Sequence, residues 1–251
     1  KNVSDIHAFW IFNGISCKAT PPMIQAIAAR PDVRIVDLDE ECATTPSQLE
    51  KAQEETARDL EWNIEKIKAN QVWTYNNDGT GYTGKNVIVA LLDTGVNYRH
   101  NDLKNRMWWQ KNSATDSICG FNTINNTTNP LDNQGKGTMV AGLIAGDGTS
   151  GTATGIALDA KIMAVKTAYS YAQVTESRIC TGIEWALDHE ADIIVITACE
   201  SGINGRAQYR EKMVNMLSAN VLAITSAGNF GQSRVAPISV CAPSNCPSPW
   251  H

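Results

Sequence analysis

No stretch of this 251-residue sequence approaches the roughly 20 consecutive apolar residues that a membrane-spanning helix requires. The run "NVIVALLDTG" has the length of a buried strand. No block of Lys and Arg marks a nucleic-acid face, and the formal charge of −5 is mild. CxxC pairs and Cys/His metal spacings are missing too. No glycine-rich phosphate loop follows a strand, which sets aside a doubly wound small-molecule enzyme of the nucleotide-binding kind. The chain starts at Lys1 without an initiator methionine or a signal peptide, as expected of a mature or trimmed product.

What is present is a soluble globular composition, 43% apolar and 19% charged, with enough length for one large domain and a small one. The cysteine count, seven, is odd, so at least one is unpaired within the chain. Cys241 and Cys246, in "CAPSNC", are either a local disulfide or a pair of free thiols. An extracellular or exported location is the expectation on this evidence.

Three rhythms divide the chain. Residues 7–16, "HAFWIFNGIS", read as a strand, "TPPMIQAIAAR" as a helix with Thr20 at its N-cap and Pro21 at its first position, and "PDVRIVDLD" as a second strand. Residues 1–42 thus read as part of a small α+β domain. Residues 43–70 are polar, with a helical stretch around 47–60, and read as a linker. From there to residue 251 the pattern is a larger domain. "VIVALLD" (87–93), "KIMAVK" (161–166), "DIIVITA" (192–198) and "VLAITSA" (221–227) are apolar nearly throughout, as in parallel strands buried on both faces. Helical segments at 137–146, 174–190 and 205–218 lie between them. In the second, Ile179, Ile183, Ala186 and Leu187 share one face. This alternation predicts an α/β doubly wound parallel sheet, in which ligands bind at the carboxyl ends of the strands.

The residues after each run are therefore the candidates. Asp93 stands at the end of the first, in "DTGVNYRHNDL"; "CESG" follows the run at 192–198, and "GNFG" the run at 221–227. Each alone is an ordinary turn. Together with "DNQGKGTMVAGLIAG", "ATGIALDAKIMAVK" and "GIEWALDHEADIIVIT", in this order and spacing, they resemble the subtilisin-like serine proteases, the subtilase family, over roughly residues 61–231. The first forty residues resemble the second half of the family's inhibitory propeptide.

The resemblance implies a catalytic order Asp, His, Ser. By position, Asp93 would orient the general base. Asn229 would be the side-chain donor of the oxyanion hole, whose loss in subtilisin itself costs about 10²–10³ in turnover. Cys199, Glu200, Ser201 and Gly202 would line a groove holding an extended peptide, with a carboxylate in place of an apolar wall. The implied partners are a peptide or protein segment in that groove and the chain's own propeptide. No cofactor is implied except Ca²⁺, which the family often binds; the loop "NNDGTG" (76–81) is a place for it, though an ordinary turn accounts for the same residues.

The second family motif reads Gly-His-Gly-Thr-His-Val-Ala-Gly. Here it is Gly135-Lys136-Gly137-Thr138-Met139-Val140-Ala141-Gly142. Lys136 occupies the place of the general base, and Met139, in place of the second histidine, is expected to pack in the core. The base must accept the serine proton and return it to the leaving amine. A neutral imidazole does so near pH 7. An ammonium has three donors and no acceptor, and a neighbouring carboxylate stabilises that charged form. The expectation is an Asp93–Lys136 ion pair that folds the turn without performing chemistry. Lysine bases do serve serine in other enzymes, with a different geometry. Nothing after Asn229 matches the family's nucleophile motif. The leading reading is a non-catalytic family member retaining a peptide groove; the alternative is an active endopeptidase zymogen whose nucleophile lies beyond residue 251.

Overall fold

The four apolar runs become the parallel strands at the centre of the computed structural model, which describes residues 2–39, 41, 62–75, 81–113, 116–151, 155–170, 173–198 and 206–227. They are β3 (Ile88–Asp93), β7 (Lys161–Lys166), β8 (Ile193–Ile196) and β9 (Leu222–Thr225). A short β6 (Gly120–Asn122), not expected from the sequence, completes a five-stranded sheet in the order β6-β7-β3-β8-β9, parallel throughout. Two further two-residue strands, β4 (Gln110–Lys111) and β5 (Ser117–Ile118), form a separate antiparallel pair.

Because side chains alternate across a strand, an apolar run without interruption must be covered twice. Val89 and Leu91 of β3 pack with Ala141 and Ala145 of α4 (Lys136–Ala145). Ala90 and Leu92 pack on the opposite face with Ile179 and Ile183 of α5 (Glu176–Asp188) and Met216 of α6 (Arg206–Ser218). The helices at 137–146, 174–190 and 205–218 are therefore present, and Ile179, Ile183 and Ala186 face the core as their spacing requires. β9 departs from expectation. It is the edge strand of the described sheet, and Leu222 and Ile224 are exposed, so it is not buried on both faces.

The N-terminal segment differs from its sequence reading in two places. The stretch 7–16 is not one strand: β1 (Val3–Phe9) turns through Trp10–Asn13 into the antiparallel β2 (Gly14–Ala19), with Phe9 opposite Gly14. Asn13 adopts φ +50° at the turn, a conformation Asn tolerates before a glycine. Next, α1 (Pro21–Ala28) starts where Thr20 and Pro21 placed it, with the Thr20 carbonyl accepting from the N–H groups of Met23 and Ile24. "PDVRIVDLD" runs without a ladder partner and is not a strand. It is fastened by side chains instead: Arg34 donates to Glu211 at 2.9 Å, and the Asp39 carboxylate accepts from the Ser177 N–H and hydroxyl at the start of α5. The hairpin turn inserts Phe9 and Ile11 into the core beneath α5 and α6. There the Ile11 N–H donates to Glu184 at 2.9 Å, its carbonyl accepts from Asn215 at 2.5 Å, and the buried Lys212 ammonium, paired with Glu176, lies 4.4 Å from the Phe12 ring centre.

Between these parts lie α2 (Trp62–Ile67) and α3 (Ala69–Trp73), seated through the buried Ile64 and Ala69. No helix among the described residues is long and apolar enough to cross a membrane.

Candidate functional site

At the carboxyl end of β3 the chain must leave the sheet, and Asp93 is its last strand residue. Its carboxylate is 1% exposed and takes three neighbours. The Thr94 N–H donates to Oδ1 at 2.6 Å. The Thr197 hydroxyl, from just beyond β8, donates to Oδ2 at 2.5 Å. Lys136 Nζ lies 3.3 Å from the same Oδ2 and donates to Thr197 Oγ1 at 2.9 Å. The two charged groups are in direct contact, with no room for a water between them.

Lys136 arrives there because it opens α4, and the two glycines around it serve different needs. Gly135 has φ +95° with open space around it, so only its backbone conformation demands glycine. Gly137 is a close-approach position: a Cβ there would stand 2.0 Å from the Gly95 carbonyl oxygen. The first turn of α4 is satisfied by side chains from elsewhere, as helix starts require. The Gly137 N–H donates to Thr94 Oγ1 at 3.0 Å, and the Thr138 N–H donates to Asp132 Oδ2 at 3.0 Å. Asp132 also accepts from the Thr138 hydroxyl at 2.5 Å and the Gln134 N–H at 2.8 Å. Burial alone would raise the Asp132 carboxyl, but the Thr138 hydroxyl and the surrounding backbone N–H groups outweigh it and hold the group below its ordinary range.

A second ammonium lies behind the first. Lys166, at the end of β7 and 4% exposed, donates to the Thr94 carbonyl at 2.5 Å and to Asn133 Oδ1 at 2.7 Å. Burial pulls its pKa down, against the opposing pull of Asp132 and Asp93. Two carboxylates and two ammoniums thus tie the ends of β3, β7 and β8 to the start of α4.

Met139 is not in the core; it is 44% exposed. Gly137, Ala141 and Ala145, four residues apart, face the sheet, and position 139 falls on the other side of the helix. Asn229 and the groove residues Cys199, Glu200, Ser201 and Gly202 lie outside the described residues, as do Cys241, Cys246 and positions 76–80. Among the described residues no group of three His, Cys, Asp or Glu is placed to hold a metal ion. The described cysteines, Cys17, Cys119 and Cys180, are free, and burial pushes the Cys119 and Cys180 thiols up to about 12.

Sequence reasoning brings Asp93 and Lys136 to notice and misses Thr197, Lys166 and Asp132. Thr197 and Lys166 sit inside or at the end of apolar runs and were read there as strand residues. Their position at the carboxyl end of the sheet was the available signal.

A doubly wound sheet carrying a motif-bearing Asp and helix start at this end defines a class. The profile of the Subtilase family matches residues 84–249, well over half of the sequence, and the chain belongs to that family. It is similar to bacillopeptidase F of Bacillus subtilis (strain 168), 28% identical over 98% of this chain and 18% of that protein. It is similar also to subtilisin DY of Bacillus licheniformis, 30% identical over 70% of this chain and 58% of the relative. With the major intracellular serine protease of Bacillus subtilis (strain 168) it shares 32% identity over 67% of this chain and 49% of the relative. The chain spans less than two thirds of the length of each.

Proposed function

We propose that this chain is a catalytically inactive member of its family, a pseudoprotease that keeps the peptide groove as a binding surface. The observation that carries the reading is the direct contact of Lys136 with Asp93 and Thr197 at the position of the general base. An ammonium held by a carboxylate at 3.3 Å has no lone pair to offer a serine hydroxyl. The acid that would orient a histidine is instead engaged by the Lys136 ammonium, and in this reading the chemistry that needs a base stops there.

In this reading residues 1–42 are a propeptide-like domain that stays docked, residues 43–70 connect it, and residues 71–251 are the catalytic-type domain. The contacts of Ile11, Phe12, Arg34 and Asp39 with α5 and α6 support the docking. The alignment with bacillopeptidase F runs over 98% of the chain, so the N-terminal segment has a counterpart in that relative. Asn229 would be the groove's amide donor, and Cys199, Glu200, Ser201 and Gly202 its wall. An extracellular or exported location belongs to the same reading; among the relatives, one is named an extracellular protease and another an intracellular one.

The test is turnover of a fluorogenic protein substrate by the full-length protein and by its Lys136→His variant. Wild type is expected to stay at background, and Lys136→His to rise above it. Wild-type turnover would establish the active endopeptidase reading in its place. No gain in the histidine variant would overturn the claim that Lys136 alone disables the site.

A further inference from the structure

Lys136 carries three N–H donors, and Asp93 and Thr197 take two of them. Among the described residues the third has no acceptor. Beside it is a small cavity of about 10 Å³, bounded by Asp93, Lys136, Thr167, Ser170, Val174 and Thr197, with space for a single water-sized group. Thr167 is completely buried at its wall, and its hydroxyl oxygen has no hydrogen-bond partner. Buried hydroxyls are nearly always paired, so the unpaired Thr167 hydroxyl in the wall of this cavity has a hydrogen bond to give to a polar atom placed there. Lys136 and Thr167, one charged donor and one neutral, both line one oxygen-sized space at the carboxyl end of the sheet, beside Asp93.

Resting on the groove-binding reading, we infer that Lys136 and Thr167 recognise the free C-terminal carboxylate of a bound peptide. One carboxylate oxygen enters the cavity and accepts from the Lys136 ammonium and the Thr167 hydroxyl. The Thr197 hydroxyl stays where it is, already donating to Asp93 and accepting from Lys136. Lys136 and Lys166 together balance the carboxylates of Asp93 and Asp132, so the incoming anion does not meet a net negative site. A C-terminal carboxamide or an internal peptide bond offers only a neutral carbonyl, and the carboxamide NH₂ would face an N–H donor. The histidine this family carries at the position would give a neutral imidazole no such preference. The lysine therefore converts a site for cutting within peptides into one for holding peptide ends.

The experiment uses two pools of mixed-sequence hexapeptides, identical except for a free carboxylate or a carboxamide at the C-terminus. They compete for the immobilised full-length protein, and retained peptides are counted by mass spectrometry. The acid pool is expected to be retained about tenfold or more over the amide pool, the size of one charge-assisted hydrogen bond. Asp93→Asn combined with Lys136→Met, which removes both charges and leaves neither stranded, should retain the two pools equally. Thr167→Val, which deletes an unpaired hydroxyl, should lower the acid preference several-fold while the fold persists. Equal retention by the wild type overturns the inference and leaves the groove reading standing. So does an acid preference that survives in the double variant. Retention of neither pool overturns both.

Discussion

Lys136→Met is expected to cost the fold about 3–5 kcal/mol, measured as a fall in the denaturant midpoint at unchanged slope. The cost comes from what is left behind. Asp93 is 1% exposed, so its carboxylate would remain buried with the Thr94 N–H and the Thr197 hydroxyl as its remaining direct partners. Asp93→Ala is expected to cost less, because the Lys136 side chain is 19% exposed and can swing its ammonium toward solvent. The double variant Asp93→Asn with Lys136→Met should recover much of the loss, a coupling of about 1–3 kcal/mol between the two positions. Equal costs for the two single variants, or simple additivity, would show that the pair is not the unit the geometry describes.

Gly137→Ala is expected to cost about 3 kcal/mol, at the upper end for overpacking. The added methyl would meet the Gly95 carbonyl oxygen at 2.0 Å, and that oxygen is backbone. Gly95 cannot retreat, since it is itself at φ +100° and lies against the Pro130 carbonyl. Either α4 shifts away from β3, breaking the Gly137–Thr94 bond and the Asp93–Lys136 contact together, or the turn deforms. Gly135→Ala, two residues earlier, should cost only about 1–2 kcal/mol, the ordinary expense of a left-handed alanine, because nothing stands within 4 Å of the new atom. A Gly135→Ala loss as large as that of Gly137→Ala would contradict this division of labour.

These two cases also show why some of the molecule was legible beforehand and some was not. β3 and β7 could be read from local sequence, because a strand covered on both faces has to be apolar at every position. The edge position of β9 in the described sheet could not, since "VLAITSA" is as apolar as the central runs and only the sheet order shows which described strand has one neighbour. The segment 7–16 was misread because its aromatic residues fit a strand on either side of the Trp10–Asn13 turn. At the site, Asp93 and Lys136 were visible through motif order. Thr197 was not, because its partners Asp93 and Lys136 lie 104 and 61 residues away. Lys166 was hidden likewise: a lysine closing an apolar strand reads as the strand's solvent end, whereas here its ammonium is buried against the Thr94 carbonyl and Asn133.

The consequence for function is that Lys136 is built in, not merely tolerated. Its helix start is capped by Asp132 and Thr94, its ammonium is met by Asp93 and Thr197, and the glycine on each side is needed for a separate reason. In the proposed reading, a site organised this closely around a lysine lacks the proton acceptor that acyl transfer to serine needs.

Fluorophosphonate labelling of the full-length protein, read by intact mass beside an active subtilisin, tests that claim most directly. The expected result is an unlabelled, full-mass protein next to a fully labelled control. A labelled species would mean that an activated serine exists and that some base serves it, and the account of Lys136 as a disabling residue would be wrong.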